Sequence, residues 1–159
     1  VVDGLDSLSG QDVGSLIAKS GMAFNKAAAS TFGVIFATAL MRAGKSVQGQ
    51  DELVLGDLPA MGRAAVDAIK DRGKADVGDK TVLDALVPSV DALEAAVAAG
   101  ADSDESLMAA LEACRQGVED TVPMQSQVSR ASWVGERSIG VPDPGATALL
   151  IMFEAAMAD

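Results

Sequence analysis

The stretch Leu83-Asp-Ala-Leu-Val-Pro-Ser-Val-Asp-Ala-Leu-Glu-Ala-Ala-Val97 sets Leu83, Leu86, Val90, Leu93 and Val97 at three- and four-residue steps. That spacing falls on one face of a helix with 3.6 residues per turn, so it predicts a helix with one buried stripe. The same pattern spreads outward in both directions. Downstream, Leu107, Leu111, Cys114 and Val118 mark a further helix with Pro123 near its end. Upstream, Leu58, Met61, Ala65 and Ile69 line a helix that Asp57 can cap and that stops at Arg72-Gly73. Asp12-Val-Gly-Ser-Leu-Ile17 opens a first amphipathic segment, predicted to end near Ser20-Gly21. A second apolar helix is predicted over residues 24–43, closed by the basic-then-glycine ending Arg42-Ala-Gly44. Residues 45–56, 74–79 and 99–104 read as loops, and Asp79 is placed to cap the helix after it. Asp143-Pro144 gives a cap followed by proline at the first helical position. The closing helix holds Leu149, Leu150, Ile151, Met152 and Phe153 in a row, which predicts a central place in a bundle.

Composition agrees with an all-α class. Hydrophobic residues make up 49% and aromatics only 3%, and alanine and leucine favour helix over strand. A chain of 159 residues suits one domain, residues 1–159, of six or seven helices. The net charge of −11 has the wrong sign for binding a nucleic-acid backbone or an anionic membrane, so neither partner is expected. The longest apolar run, residues 27–41, is interrupted by Ser30, Thr31, Gly33 and Thr38 and is shorter than the roughly 20 residues of a membrane span. With no signal-peptide pattern, the expected location is cytoplasmic. The single cysteine, Cys114, excludes an internal disulfide and sits in an apolar stripe, as a buried thiol would.

Chemistry is concentrated in a few places. The absence of histidine removes imidazole catalysis and, with no cysteine pair, the usual zinc sites. Gly73-Lys-Ala-Asp-Val-Gly-Asp-Lys-Thr81 is not a P-loop, because Asp79 separates Gly78 from Lys80 and no strand precedes it. Its amides at a helix start still make a general anion site an expectation. Ser30-Thr-Phe-Gly33 reads either as close helix packing through small residues or as a place where phosphate approaches backbone. The strongest constellation is Arg130, Arg137, Asp143 and Gly145, with Pro144 opening a helix. Guanidinium forks pair with phosphate oxygens, and the helix start adds a positive dipole end. The competing reading is a structural loop in which Glu136 pairs an arginine and Asp143 only caps. Trp133 is expected to be a packing anchor. Asp3, Asp6, Asp102, Asp104 and Glu105 are metal ligands by type only and are expected to be solvated, so no metal ligand is assigned.

Residues 130–140, Arg-Ala-Ser-Trp-Val-Gly-Glu-Arg-Ser-Ile-Gly, followed by Asp143-Pro-Gly-Ala146, resemble the signature of the L domain of dihydroxyacetone (glycerone) kinases. Gly73-Lys-Ala with Gly78-Asp-Lys-Thr-Val-Leu-Asp-Ala-Leu86 resembles a second signature of that family, and the run from Ser20 to Ala43 a third, more loosely. The resemblance covers nearly the whole chain. It implies an antiparallel helical barrel that holds ADP or ATP with Mg2+, and transfers a phosphoryl group to a small ketose bound on a partner K domain or subunit. In some members a phosphotransferase-system phosphocarrier recharges the bound ADP. Carried over by position, the nucleotide contacts fall at Thr31, Phe32, Gly73, Val82, Arg130, Asp143, Pro144 and Gly145, with Arg130 the catalytic candidate.

Three departures stand out. The family's magnesium aspartates lie upstream of the region matching Asp12, and neither Asp3 nor Asp6 reproduces their pattern. Residues 29–33 read Ala-Ser-Thr-Phe-Gly where the family has a more glycine-rich loop, and Val141 stands where many members carry histidine. Because the chain opens on Val1, the expectation is that a native aspartate loop precedes it. The alternative is a divergent, non-catalytic helical regulator or interaction protein of the same fold.

Overall fold

The computed structural model describes residues 11–28, 30–128 and 130–158, with Arg130 and Ala131 described by backbone alone. Asp3, Asp6 and the Arg130 side chain lie outside the described part, and so do the expectations placed on them. Among the described residues there are six α-helices and a 3-10 segment that is kinked at Gly135 (φ 59°, ψ −136°), and no strand. The all-α reading holds. None of these helices is long and apolar enough to cross a membrane. The chain divides into two compact units, residues 1–73 and 74–159.

The first unit contains α1 (Val13–Ala27), α2 (Thr31–Ser46) and α3 (Asp57–Gly73). α1 opens where the sequence places it, and Asp12 caps it, its carboxylate accepting the Ser15 amide at 2.9 Å and the Ser15 hydroxyl at 2.6 Å. The same carboxylate accepts the Gly49 amide at 2.9 Å, which ties the start of α1 to the loop after α2. Two boundaries differ from expectation. α1 runs through Ser20-Gly21 to Ala27, and α2 begins at Thr31 and not near residue 24. Ser30-Thr-Phe-Gly33 is therefore the start of a helix and not the interior of one: Ser30 caps α2 by accepting the Gly33 amide at 2.9 Å, and Thr31 to Gly33 form its first turn.

Gly21 and Gly44, read as helix endings, are buried within α1 and α2. They are there for close approach. A Cβ at Gly44 would lie 2.5 Å from the Gly14 carbonyl oxygen, and one at Gly14 would lie 2.5 Å from that of Gly44. The start of α1 thus crosses the end of α2, and Gly21 meets Ala37 and Leu40 further back, so the pair is antiparallel. α3 packs against α2 and ends at Gly73 as the sequence predicts. Asp57 is its first residue and reaches back to accept the Val54 amide at 2.9 Å, so it closes the turn before the helix.

The second unit contains α4 (Leu83–Ala98), α5 (Ser103–Asp120), the 3-10 segment (Arg130–Ser138) and α6 (Pro144–Met157). The stripe of α4 is where the periodicity puts it, with Leu83, Val90 and Leu93 buried. Pro88 within α4 cannot donate to the Asp84 carbonyl four residues back. Gly117 of α5 presses on that carbonyl so closely that a Cβ there would overlap it, and a Cα–H contact is what remains. Further along, Ser89 donates to the Ala110 carbonyl at 2.8 Å, a buried link between the antiparallel α4 and α5. Asp102 caps α5. Asp79 does not cap α4, which begins at Leu83 behind Val82 with no side-chain cap; Asp79 accepts the Asp76 amide instead. α6 is not central either. Only Ala146 is buried, in a cluster with Ala85, Cys114 and Val118, while Leu149, Leu150 and Phe153 pack part-buried against it. Ile151 stays 60% exposed, because within this unit α4 and α5 cover one side of α6 only.

Candidate functional site

The segment that the sequence singles out, Arg130 to Gly145, is held by a knot of buried polar groups around Lys80. Lys80 has a left-handed backbone (φ 60°) and is 3% exposed. That conformation turns its side chain inward, where the ammonium donates to the carbonyls of Met124 (3.0 Å), Ser138 (2.5 Å) and Val141 (2.7 Å). Three stretches of chain are thereby joined: the loop before α4, the turn after α5 and the end of the 3-10 segment. Neighbouring bonds reinforce them. The Gln127 amide donates to the Asp79 carbonyl, the Gly140 amide to the Val122 carbonyl, and the Ser126 amide to the Ser138 hydroxyl.

Asp84, also 3% exposed, closes the loop before α4. Its two oxygens accept the amides of Gly78 and Thr81, each at 2.6 Å. These are amides that the sequence left as a general anion site. The structure corrects that expectation, because the protein's own carboxylate occupies it. Asp143 does the same for α6, accepting the Ala146 amide at 2.8 Å and also that of Gly145. Its own amide donates to the hydroxyl of the fully buried Thr121, which in turn donates to the Val118 carbonyl. Burial pushes the Asp143 carboxyl above its ordinary range; the amides of Ala146 and Gly145 pull it back, the Asp84 charge adds to the rise, and Lys80 opposes it.

The predicted contact residues divide between the units. Thr31, exposed, and Phe32, half-buried, open α2, and the Phe32 ring stacks on Phe36 with centroids 5.8 Å apart. Gly73 ends α3. In the second unit Val82 is buried and lends its carbonyl to the first turn of α4. Asp143, Pro144 and Gly145 start α6, whose first amides are committed to Asp143, so an incoming anion meets the dipole end rather than those N–H groups. Arg137 is exposed on the 3-10 segment. Trp133, expected to pack, is 81% exposed: the segment lies on the surface and its ring has no core to enter. Cys114 is buried as expected, and burial raises its thiol to about 11. A cavity of about 390 Å3 lies between α2 and α3, lined by Arg42, Lys45, Asp67 and Asp71. Arg42 is eleven residues beyond Thr31, roughly 16 Å along the helix axis. The cavity is thus distant from Thr31 along α2, whereas Asp71 on its wall is two residues before Gly73.

Lys80, Asp84 and Thr121 were not reached from sequence as a set. Lys80 bonds residues 44, 58 and 61 positions away, and no local pattern announces such partners. Among the described residues no group of three carboxylate or thiol side chains is placed to hold a metal.

The DAK2 domain model matches residues 1–158, and the chain belongs to that family. It is an all-α protein of the DhaL/DAK2 type. It is 34% identical over 154 residues to the ADP-binding subunit DhaL of the PEP-dependent dihydroxyacetone kinase of Escherichia coli, an alignment covering 97% of this chain and 73% of that one. It is also 34% identical over 134 residues to the corresponding subunit of dihydroxyacetone kinase 2 of Listeria innocua, covering 84% and 62%. Among solved structures, the dihydroxyacetone kinase of C. freundii in complex with AMP-PNP and Mg2+ matches with a TM-score of 0.64 at 28% identity, over 93% of this chain and 24% of that one. These relatives are kinases or kinase subunits, that is, phosphotransferases or their components.

Proposed function

We propose that this chain is the nucleotide-binding component of a dihydroxyacetone (glycerone) kinase, working as one domain over residues 1–159 with ADP or ATP and Mg2+. A phosphoryl group passes from that nucleotide to a small ketose held on a partner K domain or subunit. The observation that carries this reading is the segment from Arg130 to Gly145, whose sequence matches the family signature and whose backbone is tied down from beneath by Lys80, Thr121 and Asp143. Phosphoryl transfer depends on positioning and charge neutralisation more than on covalent chemistry, and a fixed backbone in this segment suits that need. Arg130 is assigned to phosphate charge. Thr31, Phe32, Gly73, Val82 and Asp143 to Gly145 are assigned to the nucleotide by the same positional match.

Bound Mg2+ would screen the phosphate charge, and the family resemblance assigns its ligands to aspartates upstream of the region matching Asp12. The names of the E. coli and Listeria relatives favour ADP kept as a cofactor and recharged by a phosphocarrier, and their separate-subunit organisation favours a separate K partner. A cytoplasmic location follows from that assignment. The second reading, a non-catalytic regulator of the same fold, draws on Phe32, whose ring stacks on Phe36 where the family has a smaller residue. A thermal-shift titration separates the two. Stabilisation by Mg-ADP or Mg-ATP but not by inorganic phosphate is expected, and no shift with either nucleotide favours the regulator.

A further inference from the structure

We propose that Lys80 is the positioning residue of the nucleotide segment, a clamp whose single ammonium fixes the backbone from Ser138 to Val141 against the loop before α4. The geometry of this clamp stands by itself, and its consequence for a ligand rests on the function proposed above. An ammonium has three N–H bonds directed from one centre, and here three carbonyl oxygens, those of Met124, Ser138 and Val141, converge on it. A buried lysine is costly unless its donors are satisfied, so the three carbonyls and the cation hold one another in place. The carboxylates of Asp84 and Asp143 belong to the same knot, close enough for Asp84 and Lys80 both to act on the Asp143 charge. Each is occupied by amides of its own turn, which leaves the carbonyls as the direct partners of the cation. The clamp thereby joins the family's two signatures, residues 78–86 and 130–146. It touches neither nucleotide nor substrate in this scheme; it acts through the segment that does.

The chain's one tryptophan, Trp133, lies on the clamped segment and is exposed, so its emission and anisotropy report the segment directly. In Lys80→Met the apolar stem remains and the donors go. The expected result is higher mobility of Trp133 and faster hydrogen exchange at the amides of Gly140 and Asp143, with the amides of α5 unchanged. If the competent population of the segment falls to about a tenth, Mg-ADP affinity falls on the order of tenfold. Lys80→Ala opens space for a small amine. Propylammonium is expected to restore Trp133 anisotropy and amide protection, whereas tetramethylammonium, which has no N–H, is not. Wild-type exchange and anisotropy in Lys80→Met would overturn the clamp. So would equal effects of the two amines on Lys80→Ala, which also decides the matter if the methionine variant does not fold. If wild-type protein binds no nucleotide while these segment readouts behave as expected, the function proposed above fails and the clamp stands.

Discussion

A carboxylate that accepts several short bonds at a helix start is held in its charged form, and Asp12 is the clearest case in the chain. Bonds from the Ser15 hydroxyl, the Gly49 amide and the Ser15 amide lower its pKa from 3.8 to about 2. A depressed carboxylate pKa stabilises the fold above the unfolded value and loses that contribution as pH falls through the folded one. Asp12→Asn is therefore expected to be less stable than wild type at neutral pH, with the difference shrinking between about pH 4 and pH 2. Urea unfolding across that range checks it, and a pH-independent difference would contradict the assignment. The helix start at Asp12 was readable from sequence because an amphipathic run follows it; the bond to Gly49, 37 residues away, was not. Lys80 repeats the lesson more strongly, since all three of its partners are remote in sequence.

At the scale of elements, apolar periodicity placed α3, α4 and α5 well, because each carries a long stripe of large residues. It failed at the α1–α2 boundary. Residues 27–33 are small or helix-tolerant and carry no periodic stripe, so only the Ser30 cap marks the break. Glycine misled for a related reason. In sequence a glycine suggests an ending; in α2 Gly44 is kept inside the helix, at about 1 kcal/mol against alanine, so that the Gly14 backbone can touch it. Gly44→Ala is expected to destabilise the protein by about 1–3 kcal/mol through overpacking. Gly56 is the control: a Cβ added there would meet nothing within 4 Å, and alanine should stay within roughly 0.5 kcal/mol. Equal denaturation midpoints for the two variants would contradict the close-crossing account.

For the whole molecule, fold class and family were legible because they rest on extended patterns: helical stripes for the class, and residues 73–86 and 130–146 for the family. The internal support of the site was not. Asp143 was legible as the cap of α6 and Asp84 drew no reading at all; neither's burial showed in sequence, and both spend their oxygens on the backbone amides of nearby turns. In the proposed function, Arg130 of the same segment is the phosphate partner. The most direct measurement is calorimetric titration of Mg-ADP into the wild-type protein and into Arg130→Ala. The account predicts one saturable site in the wild type and no detectable binding in the variant. Equal affinity in both would contradict it.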